Sequence, residues 1–149
     1  MAESKAKRTI GPMTAADFRA VLALLERLGL PQAGLAEHAA TILVAREEGS
    51  VVGSAALEVY GGEALLRSVG VEPARQGTGL GARLTEAALD LAGRLGVRRV
   101  YFLTETAERF FPRFGFRKVA RDDVPGSVRQ SEEFRSACPA SAVAMERVL

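Results

Sequence analysis

The apolar positions change period along the chain, and each change marks a new kind of element. Phe18, Val21, Leu22, Leu25 and Leu28 recur at three- and four-residue spacing, which predicts a helix up to Gly29. Thr14 with Asp17 resembles a capping box at its start, and Leu30-Pro31 stops it. A short strand over 9–13 is expected before it, and a short second helix over 34–40 after it. From residue 41 the period shortens to that of strands. Strands are predicted over 41–46, 51–59 and 63–71, joined by a turn over 47–50 and by Tyr60-Gly61-Gly62. Such tight turns make an antiparallel meander. The helical period returns over 79–95, with Leu80, Leu84, Ala87, Ala88, Leu91 and Leu95 on one face and Gly96 as the cap. Then come a strand over 97–104, a helix over 106–114 ended by Gly115, a strand over 116–120, a helical stretch over 124–135 and a last strand over 142–149. The central strand-helix-strand calls for parallel neighbours. The expected class is therefore α/β (α+β), a mixed central sheet of six to seven strands flanked by helices.

Composition narrows the choice without naming a function. The chain has 149 residues, 48% of them apolar and 26% charged, which is one ordinary domain. Residues 1–8 are polar and expected to be disordered, leaving a single domain over 9–149. One cysteine, Cys138, excludes a disulfide framework, and one histidine, His38, excludes a multi-histidine metal site, so no metal is expected. Twenty basic against 18 acidic residues leave a net charge of +2 with no long Lys/Arg block, so no nucleic-acid partner is expected. No apolar stretch is long enough for a membrane span, and the start MAESKAKR lacks the apolar core of a signal peptide. A cytoplasmic location is expected.

The chemistry concentrates in Val69-Gly70-Val71-Glu72-Pro73-Ala74-Arg75-Gln76-Gly77-Thr78-Gly79-Leu80-Gly81. A strand ends, a glycine-rich loop follows, and a long helix opens with no acid in its first turn. Helix starts carry unpaired N–H groups and partial positive charge, and glycines let backbone approach an anion closely, so the segment reads as a phosphate cradle. Gly77-x-Gly79-x-x-Ala82 also fits a dinucleotide fingerprint, with Glu105 as its acid, although the preceding strand ends a meander. A glycine-rich turn with no ligand is the third reading.

Gln76-x-x-Gly79-x-Gly81 resembles the motif of the GNAT acetyltransferases, whose element order matches the one predicted here. The resemblance implies acetyl-CoA as cosubstrate and a small-molecule amine as acceptor. It implies pyrophosphate binding by the backbone of Gln76, Gly77, Thr78, Gly79, Leu80 and Gly81. It also implies a bulge around Val69, Gly70 and Val71 that splays this strand from the next, binds pantetheine and faces the thioester carbonyl. Thr104, Phe110 and Phe111 are carried over as further cofactor contacts. Leu103 to Phe111, Phe114-Gly115-Phe116, Val124-Pro125 and Cys138-Pro139-Ala140-Ser141-Ala142 with Met145 resemble the subgroup associated with arsenic-resistance genes, as do Leu57-Glu58-x-Tyr60-Gly61 and Leu65 to Val69. They are more distantly similar to the acetyltransferase domain of N-acetylglutamate synthases. The chain departs from the synthases at Thr106, where they carry arginine. It departs from the phosphinothricin-type enzymes at Leu66, where they carry a catalytic glutamate. Phe111 stands where many members have an acidic tyrosine, and it cannot donate a proton.

Acyl transfer to an amine needs a base and an oxyanion donor. Glu58 is the first candidate base, its plain alternative being a solvated strand-end carboxylate. Glu105, at the C-terminal end of the central strand, is the second. Arg67 and Ser68 are candidate substrate-binding residues. Adjacent on a strand, they are expected on opposite faces, with Arg67 either receiving a substrate carboxylate or pairing with Glu58 or Glu63. His38 reads as a cap or surface residue, the phenylalanines as core, and Cys138 as a packed thiol rather than an arsenic ligand. The last strand offers an edge through which a homodimer could form. A non-catalytic acetyl-CoA-binding or arsenic-responsive protein is the alternative function.

Overall fold

The computed structural model describes residues 7–105, 107–137 and 141–149. The capping box at Thr14 forms: the Asp17 carboxylate accepts from the Thr14 amide at 2.8 Å and from its hydroxyl at 2.9 Å. That amide bond and the Arg46 guanidinium hold the Asp17 carboxyl below its ordinary range. The elements are β1 (Arg8–Pro12), α1 (Phe18–Arg27), β2 (Ile42–Glu47), β3 (Ser50–Tyr60), β4 (Glu63–Val71), α2 (Leu80–Arg94), β5 (Arg99–Thr104), β6 (Arg117–Val119), α3 (Gly126–Arg129) and β7 (Val143–Val148). A 3-10 segment, Leu35–Thr41, replaces the expected second helix.

The strands form one seven-stranded sheet in the order β1-β2-β3-β4-β5-β7-β6. Only β4 and β5 run parallel, with α2 as their crossover. β4 thus closes the meander and opens a βαβ unit at once, which removes the topological objection to a dinucleotide loop. Alternate residues send the sheet's side chains to opposite faces. Leu57, Leu66, Val71 and Phe102 meet Leu80, Leu84, Ala88 and Ala92 of α2 on one face. On the other, Ile42, Val44 and Ala56 meet Val21 and Leu25 of α1, while Leu65, Tyr101 and Leu103 meet Val128 and Phe134. Each fully buried leucine contributes about 1.5–3 kcal/mol.

Several expectations need correction. Lys7 exchanges 3.1 Å bonds with Glu48 and β1 takes in Arg8, so residues 7 and 8 are part of the fold; residues 1–6 lie outside the described ones. Where a helix is expected over 106–114, the described residues 107–114 hold a turn over 108–110 and the 3-10 segment Phe111–Phe114, where Pro112 lacks an amide hydrogen and Gly115 turns the chain at φ +83°. The stretch over 124–135 is broken. α3 has four residues, and the Ser131 hydroxyl takes the Phe134 amide at 3.2 Å before a π-helical turn, Glu133–Ala137. β7 is no edge: it pairs with β5 on one side and β6 on the other, so β1 and β6 carry the edges and a dimer through β7 loses its basis. No helix among the described residues is long and apolar enough to cross a membrane.

Candidate active site

The loop after β4 is held by its own residues. The Gln76 side-chain amide donates to the Val71 carbonyl at 3.1 Å, and the Thr78 hydroxyl donates to the Arg75 carbonyl at 2.6 Å. Gly77 and Gly79 sit at φ +80° and +84°, the left-handed region that side chains disfavour. A Cβ at either would meet no atom within 4 Å, so the loop backbone is open on that side. Gly79 is the N-cap of α2; no side chain caps it, and no acid stands in the first turn. Open backbone, uncapped amides and an unneutralised helix dipole together fit a pyrophosphate. A Cβ on Gly81 would touch Val71 and Phe110 at 3.7 and 3.8 Å, which places the Phe110 ring beside the helix start.

β4 is bulged before it reaches this loop. Ser54 pairs with Gly70 but Ala56 pairs with Arg67, so β4 carries one residue more than β3 between these pairs. Ser68 takes φ +58°, and its carbonyl accepts from the Ser54 hydroxyl at 2.7 Å. The β4–β5 ladder stops at the Leu66–Phe102 pair. From Arg67 onward the β5-facing edge of β4 has no strand partner, and the two strands part. The bulge thus lies just before the span around Val69, Gly70 and Val71 where the resemblance implies it.

The bulge also breaks the alternation expected for Arg67 and Ser68. With Ser68 left-handed, both side chains turn the same way, and Arg67 Nε donates to Ser68 Oγ at 3.2 Å. Arg67 is 0% exposed. Its guanidinium donates to the carbonyls of Ala33 and Pro31 at 2.7 and 3.0 Å and to Glu58 Oε2 at 2.8 Å, with Glu133 Oε2 at 3.3 Å from Nε. Of the two roles expected for Arg67, the structure shows the ion pair with Glu58. Glu58 is buried rather than solvated. Its Oε1 accepts from the Tyr60 hydroxyl and lies 3.3 Å from His38 Nε2. Burial and the bond to Glu58 push the Tyr60 hydroxyl well above its ordinary pKa, so it stays a donor.

These groups border a cleft of about 270 Å³ lined by His38, Glu58, Tyr60, Ser131, Glu132 and Arg135, among others. His38, Tyr60 and Glu133 are the members that sequence reasoning missed. The kink at His38 (φ −115°), in a segment with no strong period, left no signal. Glu105 is not in the cleft: it is exposed and accepts from the Ser141 hydroxyl at 3.3 Å. Thr104 is buried at the end of β5, its hydroxyl oxygen accepting the Ala107 amide at 2.8 Å. Phe111, expected as a cofactor contact, is core, its ring 4.0 Å from that of Phe102 and edge-on to Phe116. Thr106 and Cys138 lie outside the described residues.

The sheet is thus parted between its parallel strands beside an open helix start. The acetyltransferase (GNAT) domain family matches residues 38–118, and the chain belongs to it. Over 81 residues it is 37% identical to an amino-acid acetyltransferase of Mycobacterium tuberculosis, covering 54% of this chain and 46% of that protein. Over 93 residues it is 33% identical to an amino-acid acetyltransferase of Ralstonia nicotianae, covering 61% and 21%. The chain therefore spans about half or less of the curated relatives it matches. Its fold matches N-acetylglutamate synthase of Neisseria gonorrhoeae, complexed with coenzyme A and N-acetyl-glutamate, at TM-score 0.83 and 24% identity, covering 98% of this chain and 36% of that one. It matches Rv2747 of Mycobacterium tuberculosis, in complex with CoA and NLQ, at TM-score 0.81 and 25% identity, covering 95% and 99%.

Proposed function

We propose that this chain transfers an acetyl group from acetyl-CoA to the amine of a small molecule, an amino acid or an amino-acid-like compound. The observation that carries the reading is the position of Ser68. Its backbone makes the bulge from which β4 leads into the anion-binding loop. Its hydroxyl holds Arg67, and Arg67 holds Glu58 at the cleft. One residue thus ties the cosubstrate side to the acceptor side.

Acetyl-CoA supplies an activated acyl group whose thiolate leaves readily near neutral pH. The chain's own residues do the rest. The backbone of Gln76, Gly77, Thr78, Gly79, Leu80 and Gly81 receives the pyrophosphate, and Phe110 flanks it. The unpaired edge of β4 at Val69, Gly70 and Val71 offers amides toward the carbonyl oxygen. Phe111 supplies no proton, so water protonates the departing sulfur. The amino-acid acetyltransferase relatives support the acceptor class. The resemblance to arsenic-resistance proteins adds an arsenical amino-acid mimic to it.

The test is release of free CoA, read with a thiol reagent, across a panel of amino acids, amines and an arsenical mimic. Turnover with at least one amine is expected. Tight acetyl-CoA binding with no turnover on any member would select the second reading, a non-catalytic acetyl-CoA sensor, which the missing hydroxyl at Phe111 favours.

A further inference from the structure

Glu58 is poorly placed to be the base. Arg67 and Tyr60 donate to its two oxygens, so both are already engaged and neither is free to face an acceptor. It is also 1% exposed. His38 differs on each count. Its side chain is 20% exposed and lines the cleft, and its Nε2 lies 3.3 Å from Glu58 Oε1. A carboxylate at one ring nitrogen sets the proton there and leaves the other nitrogen to accept. Among the described residues, Nδ1 has no hydrogen-bond partner. The Tyr60 ring stands edge-on at 6.0 Å and fixes the imidazole plane.

We propose that His38 is the catalytic base and that Glu58 is its positioning residue. This rests on the acetyltransferase reading above. The acceptor enters the cleft as an ammonium, and His38 Nδ1 takes one of its protons. The freed nitrogen pair then forms the C–N bond to the acetyl carbon. The C–S bond breaks with its pair on sulfur, and the second nitrogen proton leaves through water to that sulfur as thiol. The imidazolium, its charge balanced by Glu58, returns its proton to solvent through the open side of the cleft. The charges facing His38 are Glu37 on its own segment, Glu58 and Tyr60 on β3, Arg67 on β4, and Glu132 and Arg135 after α3.

The chain has a single histidine, so its ring resonance is unambiguous in NMR. The experiment compares wild type, His38→Gln, His38→Asn and Glu58→Gln by steady-state kinetics across pH, with acetyl-CoA affinity by calorimetry as the check on folding. Both His38 variants are expected to lose roughly a hundredfold in kcat and the acid limb of the pH profile, while keeping acetyl-CoA affinity. In a further variant, His38→Ala, added imidazole is expected to restore part of the rate. Glu58→Gln is expected to keep the acid limb but lower kcat, and to change the ring tautomer that the His38 nitrogen resonances report, since the carboxylate beside Nε2 is gone. Wild-type turnover with an unaltered acid limb in His38→Gln and His38→Asn overturns the assignment alone. Absence of turnover by wild type overturns the acetyltransferase reading and this assignment with it.

Discussion

At the head of α2 the working groups are backbone amides, supplied by consecutive residues over 76–81 and braced by the Gln76 and Thr78 side chains. At the cleft they are side chains, drawn from the segment Leu35–Thr41, from β3, from β4 and from the turn after α3. The first region needs no tertiary structure beyond a strand before it and a helix behind it. The second exists only when four parts of the chain meet. An anion cradle written in consecutive residues can be moved between proteins of one family unchanged. A cleft assembled from distant side chains can be rebuilt for another acceptor while the cradle stays as it is.

Breaking the cleft is expected to cost the most. Arg67→Met keeps an unbranched apolar stem but removes the guanidinium that Glu58 and Glu133 share. A loss of about 3–5 kcal/mol in stability is expected, read from the denaturant midpoint. An unchanged midpoint would mean that the network holds nothing together. Breaking the cradle is expected to cost less and to spare the fold. Gly79→Glu puts a side chain on a left-handed residue and a carboxylate where phosphate belongs. Acetyl-CoA affinity should fall roughly a hundredfold by calorimetry, about 2.7 kcal/mol. Undiminished affinity would take the loop out of the site. The smallest effect is read by pH and concerns the cleft through Tyr60, with Tyr101, away from both regions, as its internal reference. The chain has two tyrosines, and both are raised: Tyr101 to about 12 by burial and its bond to Glu146, and Tyr60 further by burial and Glu58. A folded pKa above the unfolded value near 10 means stability that is full below pH 10 and falls as pH rises past it. Tyrosinate absorbance of the native chain should therefore lag that of the urea-unfolded chain. A native tyrosine ionising at the unfolded midpoint would show that its carboxylate partner is not in place.

What the sequence reveals follows the same division. β3, β4 and α2 are legible because Leu57, Leu66, Leu80 and Leu84 are spaced by the geometry of a single element. The loop is legible because Gly77 and Gly79 meet a local backbone demand. Phe110, Phe111 and Phe114 also fall at helical spacing, yet they surround a 3-10 turn, since ring stacking on Phe102 and Phe116 decides their place and Pro112 blocks the helix. Glu58 and Arg67 stand out as charges within apolar strands. His38 and Glu133 do not, because only the folded chain brings them to Glu58 and Arg67. The error over Arg67 and Ser68 came from assuming an unbroken strand, and Ser68 carries no sign of its left-handed backbone.

The bulge in β4 has one more consequence. Leu66 and Val71 face the same helix, α2, although an odd number of steps separates them. The extra residue at Ser68 accounts for this. Remove one residue there and a regular strand would still aim both side chains at α2, without the strain of a left-handed serine. The apolar layer under α2 would keep its register. What the chain would lose is the polar side of the strand: the Ser68 hydroxyl beside Arg67 and the Ser68 carbonyl that satisfies the buried Ser54 hydroxyl.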